Sequence, residues 1–377
     1  MIIGIDVSSI AYQTGVSNYT LNLVRNLINL DKSNHYKLFY SSLRLPLPKE
    51  IEELRLKSNV TIYHFHLPPT LLQILWNQFH LFPIELFIGK CDIFHTSDWT
   101  QPPTIKAKTI TTVHDLTPFL HPEWHHPKVI QAHKNKMYWA VKKCAKFICV
   151  SQNTFNDLIK LFPKIDKSKI EVIYEAAENK YGLFSKLSPE EKTKKINSIK
   201  KQYGLDDFIL AQGTREPRKN LPRLIEAFTQ FKNKYPKTKI ELAITGKYGW
   251  GEDIKTHDPN VKVLGFIPEK DIVTLHAASL CLAYPSLYEG FGLPIVKSFK
   301  VGTPVITSNN SSLAEISQNA AILVDPTSVE DIKKAIEKLV HSQKLRSELS
   351  QKGLKVSQQF SWTKTAQQTL QVYNQLI

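Results

Sequence analysis

Cysteine is scarce in this chain: four residues among 377, Cys91, Cys144, Cys149 and Cys281, with no C-x-x-C pair. So few thiols cannot staple a chain of this length, and the spacing matches neither a zinc ribbon nor a redox motif, so they are expected as core residues in a reducing cytoplasm. The opening stretch MIIGIDVSSI lacks the basic, apolar and small-residue regions of a signal peptide and alternates like a first strand. The most apolar stretch, Leu71 to Ile88, is interrupted by Gln73, Asn77, Gln78, His80, Pro83 and Glu85, which excludes a membrane span. No internal repeat, low-complexity tract, helix-turn-helix, RRM or zinc-finger signature occurs, which argues against a nucleic-acid partner.

Acidic residues are in deficit, with 34 Asp plus Glu against 49 Lys plus Arg, a formal charge of +15. Such a balance invites polyanions or phosphorylated ligands. The excess is spread along the sequence: residues 1–185 carry 21 basic and 15 acidic side chains, the rest 28 and 19. The densest run, Lys186 to Lys201, has helical spacing with Glu190 and Glu191 near its start and reads as a solvated helix.

At ~150 residues per domain the length allows two or three domains. Apolar, β-branched runs at Met1 to Val7, Tyr36 to Tyr40, Val60 to Phe65, Asp92 to His95, Thr109 to His114, Phe147 to Val150 and Ile170 to Tyr174 read as strands. The second half repeats the scheme at Phe208 to Gln212, Glu241 to Thr245, Val261 to Leu264, Leu280 to Tyr284, Pro304 to Thr307 and Ala321 to Val324. Helical patterns lie between them, most clearly Ser17 to Leu30, Thr70 to Phe87 and Val129 to Lys143. The alternation specifies an α/β protein of two doubly wound, Rossmann-like parallel-sheet domains. The expected division is 1–180, 181–357, and a last helix in 358–377 set off by Gly353 and a polar segment.

Ligands of open parallel sheets bind outside the carboxyl ends of the strands. After Gln212 comes GTREPRKN, Gly213 to Asn220, where glycine permits a sharp turn and Arg218 and Lys219 add cations at a helix entrance. A phosphate site and an ordinary basic surface loop both fit that motif alone. After Tyr284 comes PSLYEGFGLPIVKSF, in which Gly290 and Gly292 permit close approach, Pro294 suits a helix first turn and Glu289 is an acceptor.

With these two motifs in this order, roughly 75 residues apart, the sequence resembles the retaining glycosyltransferases of the GT-B fold, family 4. GVSNYT at Gly15 to Thr20, TITTVHDLTPFLHPEWHHP at Thr109 to Pro127, LGFIPEKDI at Leu264 to Ile272 and GTPVITSNNSSLAEI after the glutamate motif extend the resemblance over nearly the whole chain. The pattern GVSNY, HDL, EPRKN and EGFGLP is most similar to the mannosyltransferase-like branch.

The resemblance implies two domains facing across a cleft, with the last helix, bearing Trp362, crossing back to the first domain. It implies a nucleoside diphosphate sugar as co-substrate, GDP-mannose before UDP- or dTDP-sugars, with no further cofactor. Arg218 and Lys219 would meet the diphosphate with Gly213 and the backbone of Gly290, Phe291, Gly292, Leu293 and Pro294. Phe266 and Ile267 match the nucleobase loop. Glu289 would contact donor sugar hydroxyls, His114 would approach the sugar from the other domain, and Gly15 would let the backbone pass close to diphosphate or acceptor.

A metal-dependent GT-A transferase is excluded by the absence of any D-x-D motif. The histidines of HFH, His64 to His66, and HPEWHH, His121 to His126, lack a partner at ligand spacing, so no metal is expected. A second carboxylate for double displacement, ~5 Å from the first, is also missing, and the route implied is front-face transfer with retention. A degenerate GT-B binding module is the alternative. The acceptor is a glycan or a lipid-linked glycan. The helix around Leu71 to Ile88, with Lys128, Lys134, Lys136, Lys142 and Lys143, is a candidate for peripheral contact with an anionic membrane on the cytoplasmic side, although a helix packed on the sheet with lysines in water gives the same pattern.

One departure stands out. Lys297 occupies the place where the family usually has a second glutamate that accepts from the nucleotide ribose. Lysine donates only. From sequence, donor binding is expected to be retained but weaker, and Lys297→Glu to tighten it by ~1–2 kcal/mol.

Overall fold

A computed structural model of the chain describes every residue except Gln13, Glu252, Asp253, Lys255 and His257. It divides into two units, Met1–Glu175 with Ser361–Ile377, and Ala176–Phe360. The first passage between them thus falls after Glu175, ahead of the 180/181 boundary read from sequence.

The first unit holds a seven-stranded parallel sheet: β1 (Ile2–Asp6), β2 (His35–Ser41), β3 (Val60–Phe65), β4 (Ile93–Thr96), β5 (Lys108–Val113), β6 (Lys146–Cys149) and β7 (Ile170–Val172), in the order β3-β2-β1-β4-β5-β6-β7. The second holds six: β8 (Phe208–Gln212), β9 (Glu241–Thr245), β10 (Val261–Gly265), β11 (Cys281–Tyr284), β12 (Val305–Ser308) and β13 (Ile322–Val324), in the order β10-β9-β8-β11-β12-β13. Every pairing is parallel. Each strand lies within a residue or two of an apolar run read from sequence. Strands covered on both faces read as near-continuous hydrophobic runs, which makes them legible. Chain order reverses between β1 and β4 and between β8 and β11, which opens a crevice at the carboxyl ends of each pair.

Local chemistry sets the helix ends. The helix Gly15–Leu30 starts on a capping box of Thr14 and Ser17. The basic run forms the helix Pro189–Tyr203, with a capping box of Ser188 and Glu191, proline at its first position and left-handed Gly204 at its end.

Two expectations fail. The pattern Thr70 to Phe87 is not one helix: it breaks into Pro69–Leu72, a π-helical turn Gln73–Gln78, an irregular stretch and Glu85–Ile88. Pro83 disfavours helical backbone at Phe82, and both His80 (φ 53°) and Phe82 (φ 60°) are left-handed. Gly353 is no break either; it lies inside the helix Gln343–Ser357, where a Cβ would meet Phe299 Cδ1 at 2.6 Å.

The core of the second unit is built from Ile209, Phe228, Phe231, Leu242, Ile244 and Ile336, all essentially inaccessible. In the first unit Trp76, Phe39, Phe94 and Ile88 pack together. All four cysteines are buried and unbridged. The last helix, Trp362–Asn374, belongs to the first unit: the Tyr373 hydroxyl meets His95 Nδ1 at 2.6 Å, His95 Nε2 meets Thr112 Oγ1 at 2.9 Å, and Trp362 packs edge-on against Tyr19. Burial drives His95 down to about 3, so this internal imidazole is neutral. Gly353→Val is expected to lower the stability of the second unit by ~1–3 kcal/mol through overpacking against Phe299, read by urea unfolding.

Candidate functional site

The loops after β8 and β11 meet at the switch point of the second sheet. Asn220, left-handed at φ 59°, donates from its amide to Pro285 O at 2.9 Å and Pro326 O at 2.6 Å, and Leu287 N–H donates to Arg218 O at 2.8 Å. Gly246, φ 132°, lets the β9 loop close on the β8 loop, since a Cβ there would stand 1.8 Å from Gly213 O. Its N–H donates to Gly265 O at 2.7 Å, which holds the β10 loop beside them.

This clamp concentrates charge. Lys219 Nζ donates to Glu289 Oε1 at 2.6 Å and to the Tyr284 hydroxyl at 2.7 Å; Tyr284 also reaches Glu289 Oε1 at 2.6 Å. Arg218 pairs through NH1 with Glu289 Oε2 and through Nε with Glu216 Oε1 at 2.6 Å. Lys219 is 9% exposed, Glu289 6%. Burial works to raise the Glu289 carboxyl, but the charges of Arg218 and Lys219 and the bonds from Lys219 and Tyr284 outweigh it and hold the group at about 2. For Lys219 burial wins: it and neighbouring Arg218 pull the ammonium down against the opposing carboxylates. Glu289 is therefore ionised at neutral pH, an acceptor and not an acid catalyst.

Of the other residues singled out by sequence, Gly213 lies beside the Lys219 stem, where a Cβ would stand 3.1 Å from Lys219 Cε, and Gly290 to Pro294 continue from Glu289 into the helix Leu293–Lys300. Ser312 Oγ bonds the carbonyls of Glu289 and Phe291 at 2.8 and 2.9 Å and fixes that turn. Phe266 is exposed with the Lys247 ammonium 4.6 Å from its ring centroid, while Ile267 is buried. Lys297 is turned elsewhere: its ammonium is 2.9 Å from Glu178 Oε1 and 5.5 Å from the Tyr181 ring centroid, with no hydrogen bond or ion pair to the cluster. Burial raises the Glu178 carboxyl less than Lys297 and Lys180 lower it.

In the first unit, His114 follows β5. Its Nδ1 is 3.2 Å from Glu175 Oε1, the Tyr19 ring stands edge-on at 4.7 Å, and its buried Nε2 has no hydrogen-bond partner among the described residues. Gly15 opens a helix, with nothing within 4 Å of where a Cβ would be. A pocket at the ends of β1 and β4 is lined by Asp6, Ser8, Tyr12, Asp98, Trp99 and Thr100. Burial and the Asp6 charge push Asp98 up to about 6. In the second unit a larger concavity, lined by Asp206, Lys232 and Glu241, lies at the amino ends of the strands, away from Arg218, Lys219 and Glu289.

Sequence reading missed Glu216, Tyr284 and Glu175. The first lies inside the EPRKN motif and the second ends a strand before the glutamate loop, so both were next to flagged residues; nothing local marks Glu175. Lys136, expected on a basic surface, is 5% exposed instead, and burial lowers it to about 8. The histidines considered for a metal have other contacts: His64 tilts against His66, His121 stacks on Trp124, and His126 Nδ1 caps a helix by accepting from Lys128 N–H.

The fold is that of solved glycosyltransferase structures of the GT-B type. The HepE structure from Anabaena, solved in complex with UDP and glucose, aligns with a TM-score of 0.71 at 16% identity and covers 100% of both chains. Residues 13–178 match the family described as Glycosyltransferase Family 4, and residues 191–356 match Glycosyl transferases group 1. The O-antigen chain mannosyltransferase B of Escherichia coli is 26% identical over 378 residues, with 96% of each chain covered. The serotype-specific mannosyltransferase WbdA of Escherichia coli is 26% identical over 314 residues, 79% of this chain and 37% of that protein. The chain belongs to glycosyltransferase family 4, on its mannosyltransferase-like side.

Glu289 is held below its unfolded value of 4.5, so its contribution to stability is complete above about pH 4.5 and is lost as pH falls toward 2. The stability gap between the wild type and Glu289→Gln should narrow across that window in acid unfolding. Lys297→Glu would set two buried carboxylates together. It is expected to cost about 3–5 kcal/mol, recovered in part by adding Glu178→Lys. Unfolding of single and double variants checks this, and tighter nucleoside diphosphate binding by Lys297→Glu would favour the expectation from sequence instead.

Proposed function

We propose that this chain transfers a hexose, mannose by preference, from a nucleoside diphosphate sugar to a glycan or lipid-linked acceptor, with retention and without a metal or other cofactor. The observation that carries this reading is the buried set of Arg218, Lys219 and Glu289 at the switch point of the second sheet. GDP-mannose is favoured over UDP- or dTDP-sugars, in keeping with the mannosyltransferase names of the relatives.

In cleavage of the sugar-phosphate bond, negative charge builds on the leaving diphosphate and positive charge on the sugar. Electrostatic stabilisation is therefore the main demand. Arg218 and Lys219 serve the diphosphate, together with the backbone of Gly213 and of Gly290 to Pro294, while Phe266 and Ile267 border the base. Drawing Arg218 and Lys219 toward phosphate releases Glu289 oxygens for donor sugar hydroxyls. The anomeric carbon–oxygen bond to phosphate breaks, the acceptor oxygen bonds to the same face, and its proton passes to the departing phosphate oxygen. By resemblance to the family, His114, whose Nδ1 is held by Glu175, serves the sugar, and Gly15 the diphosphate or acceptor. The protein acts in the cytoplasm, in peripheral contact with the inner face of the membrane.

Arg218→Ala or Lys219→Ala should weaken nucleoside diphosphate binding by ~1.5–3 kcal/mol in calorimetry. Unchanged affinity in both would sink the donor-site assignment. Product NMR should give the retained anomer at the same rate with and without chelator. Donor binding without any transfer would turn the reading toward a degenerate binding module.

A further inference from the structure

The crevice of the first sheet holds a polar pocket that none of the residues singled out by sequence occupies. β1 ends on Asp6 and runs into the turn Ser8–Tyr12, while β4 leads into Asp98, Trp99 and Thr100. The two strands are parallel neighbours with Ile5 opposite His95, so their exits lie side by side where the strand order reverses. The pocket between these exits is small. At a volume of about 20 Å³ it has room for one water or one hydroxyl group, not for a sugar ring.

Most of the polar groups that line it are spent on the fold. Asp6 accepts from Ser8 N–H at 2.9 Å and from Thr100 Oγ1 at 3.2 Å, Ser9 Oγ donates to Thr20 Oγ1 at 3.2 Å, and Ser41 Oγ donates to Leu67 O at 3.1 Å. Asp98 differs. It takes the backbone N–H of Trp99, and among the described residues no side chain donates to it. Burial and the Asp6 charge raise its carboxyl to about 6 while Lys136 and His114 pull the other way, so at neutral pH it is an ionised acceptor. Lys136 is 5% exposed and makes no hydrogen bond or ion pair among the described residues. A buried ammonium and a carboxylate that act on one another without touching are both short of partners, a costly state unless a further polar group enters.

Two rings also border the pocket. Tyr12, 38% exposed, stands edge-on to Trp99 with centroids 6.0 Å apart. An open aromatic face beside an unspent carboxylate matches the two kinds of surface on a pyranose, its C–H face and its hydroxyls.

We propose that this pocket is a sugar-hydroxyl subsite: a neutral pyranose lies against Tyr12 and Trp99 and places one hydroxyl in the pocket, where it displaces water and donates to Asp98. On the function proposed above that pyranose is the acceptor, and the subsite selects acceptor sugars by the presence of that hydroxyl. A divalent cation fits less well, because Lys136 already supplies positive charge beside Asp98 and both oxygens of Asp6 are in use.

The test is saturation-transfer NMR on the full chain with the methyl glycosides of mannose, glucose, galactose and N-acetylglucosamine, followed by the monodeoxy analogues of whichever binds best. At least one glycoside should bind, and one of its monodeoxy analogues should bind at least about tenfold more weakly. Asp98→Asn should cut that difference, since a neutral acceptor holds a hydroxyl less firmly than a charged one. Tyr12→Ala should weaken parent and analogues alike, and because Tyr12 is at the surface it keeps the test decisive if Asp98→Asn unfolds. Both variants should bind nucleoside diphosphate as the wild type does. No glycoside bound, all analogues bound equally, a difference left whole by Asp98→Asn, or affinity unaltered by Tyr12→Ala would overturn the proposal. Thermal stabilisation of the wild type by Mg²⁺ or Ca²⁺ that Asp98→Asn abolishes would also overturn it, as the mark of a cation site. Glycoside binding by a chain that binds no nucleoside diphosphate would leave the subsite standing and remove the donor reading, while the converse would keep the donor reading and remove the subsite.

Discussion

Taking the Glu289 carboxylate out of water costs several kcal/mol unless cations and hydrogen bonds surround it, and that requirement governs the second unit. Arg218, Lys219 and Tyr284 satisfy it only while the loops after β8 and β11 stay in register. Asn220 and the backbone of Leu287 hold that register, and Gly246 admits the third loop. The site is thus formed in advance of any ligand: four charged groups, two of each sign, balanced and nearly dry. In the proposed reaction a diphosphate would compete with these carboxylates for cations already in place, so little ordering would be needed at the moment of binding.

The first unit meets the same difficulty with neutral groups. His95, Thr112, Tyr19 and Tyr373 exchange hydrogen bonds in a region closed to water, and burial keeps His95 uncharged. Tyr19 links this network to His114 on one side and to Trp362 of the last helix on the other. The C-terminal segment is therefore part of the packing that orients His114, although it lies far away in the chain.

Much of this was legible because its causes are local. Doubly buried strands must be apolar throughout, so all thirteen were visible as runs; glycine and cations after β8 and a glutamate before paired glycines after β11 marked the candidate site. The failures share a cause as well. The helical spacing of Thr70 to Phe87 was real, yet Pro83 and left-handed His80 and Phe82 overrode it. Gly353 reads as a breaker until Phe299 is found pressed against it. Lys136 and Lys297 resemble surface lysines in any window, and only packing shows one buried and the other paired with Glu178.

By itself the sequence determined the two parallel sheets, their covering helices and the loops that carry the candidate site, since hydrophobic period and turn chemistry are properties of neighbours along the chain. Tertiary structure alone decided which charges neutralise one another. Glu289 joins Arg218, Glu178 joins Lys297 and Glu175 joins His114. Those pairings depend on distances between residues far apart in the chain, and electrostatic energy is set by separation in space and access to water, neither of which sequence spacing records.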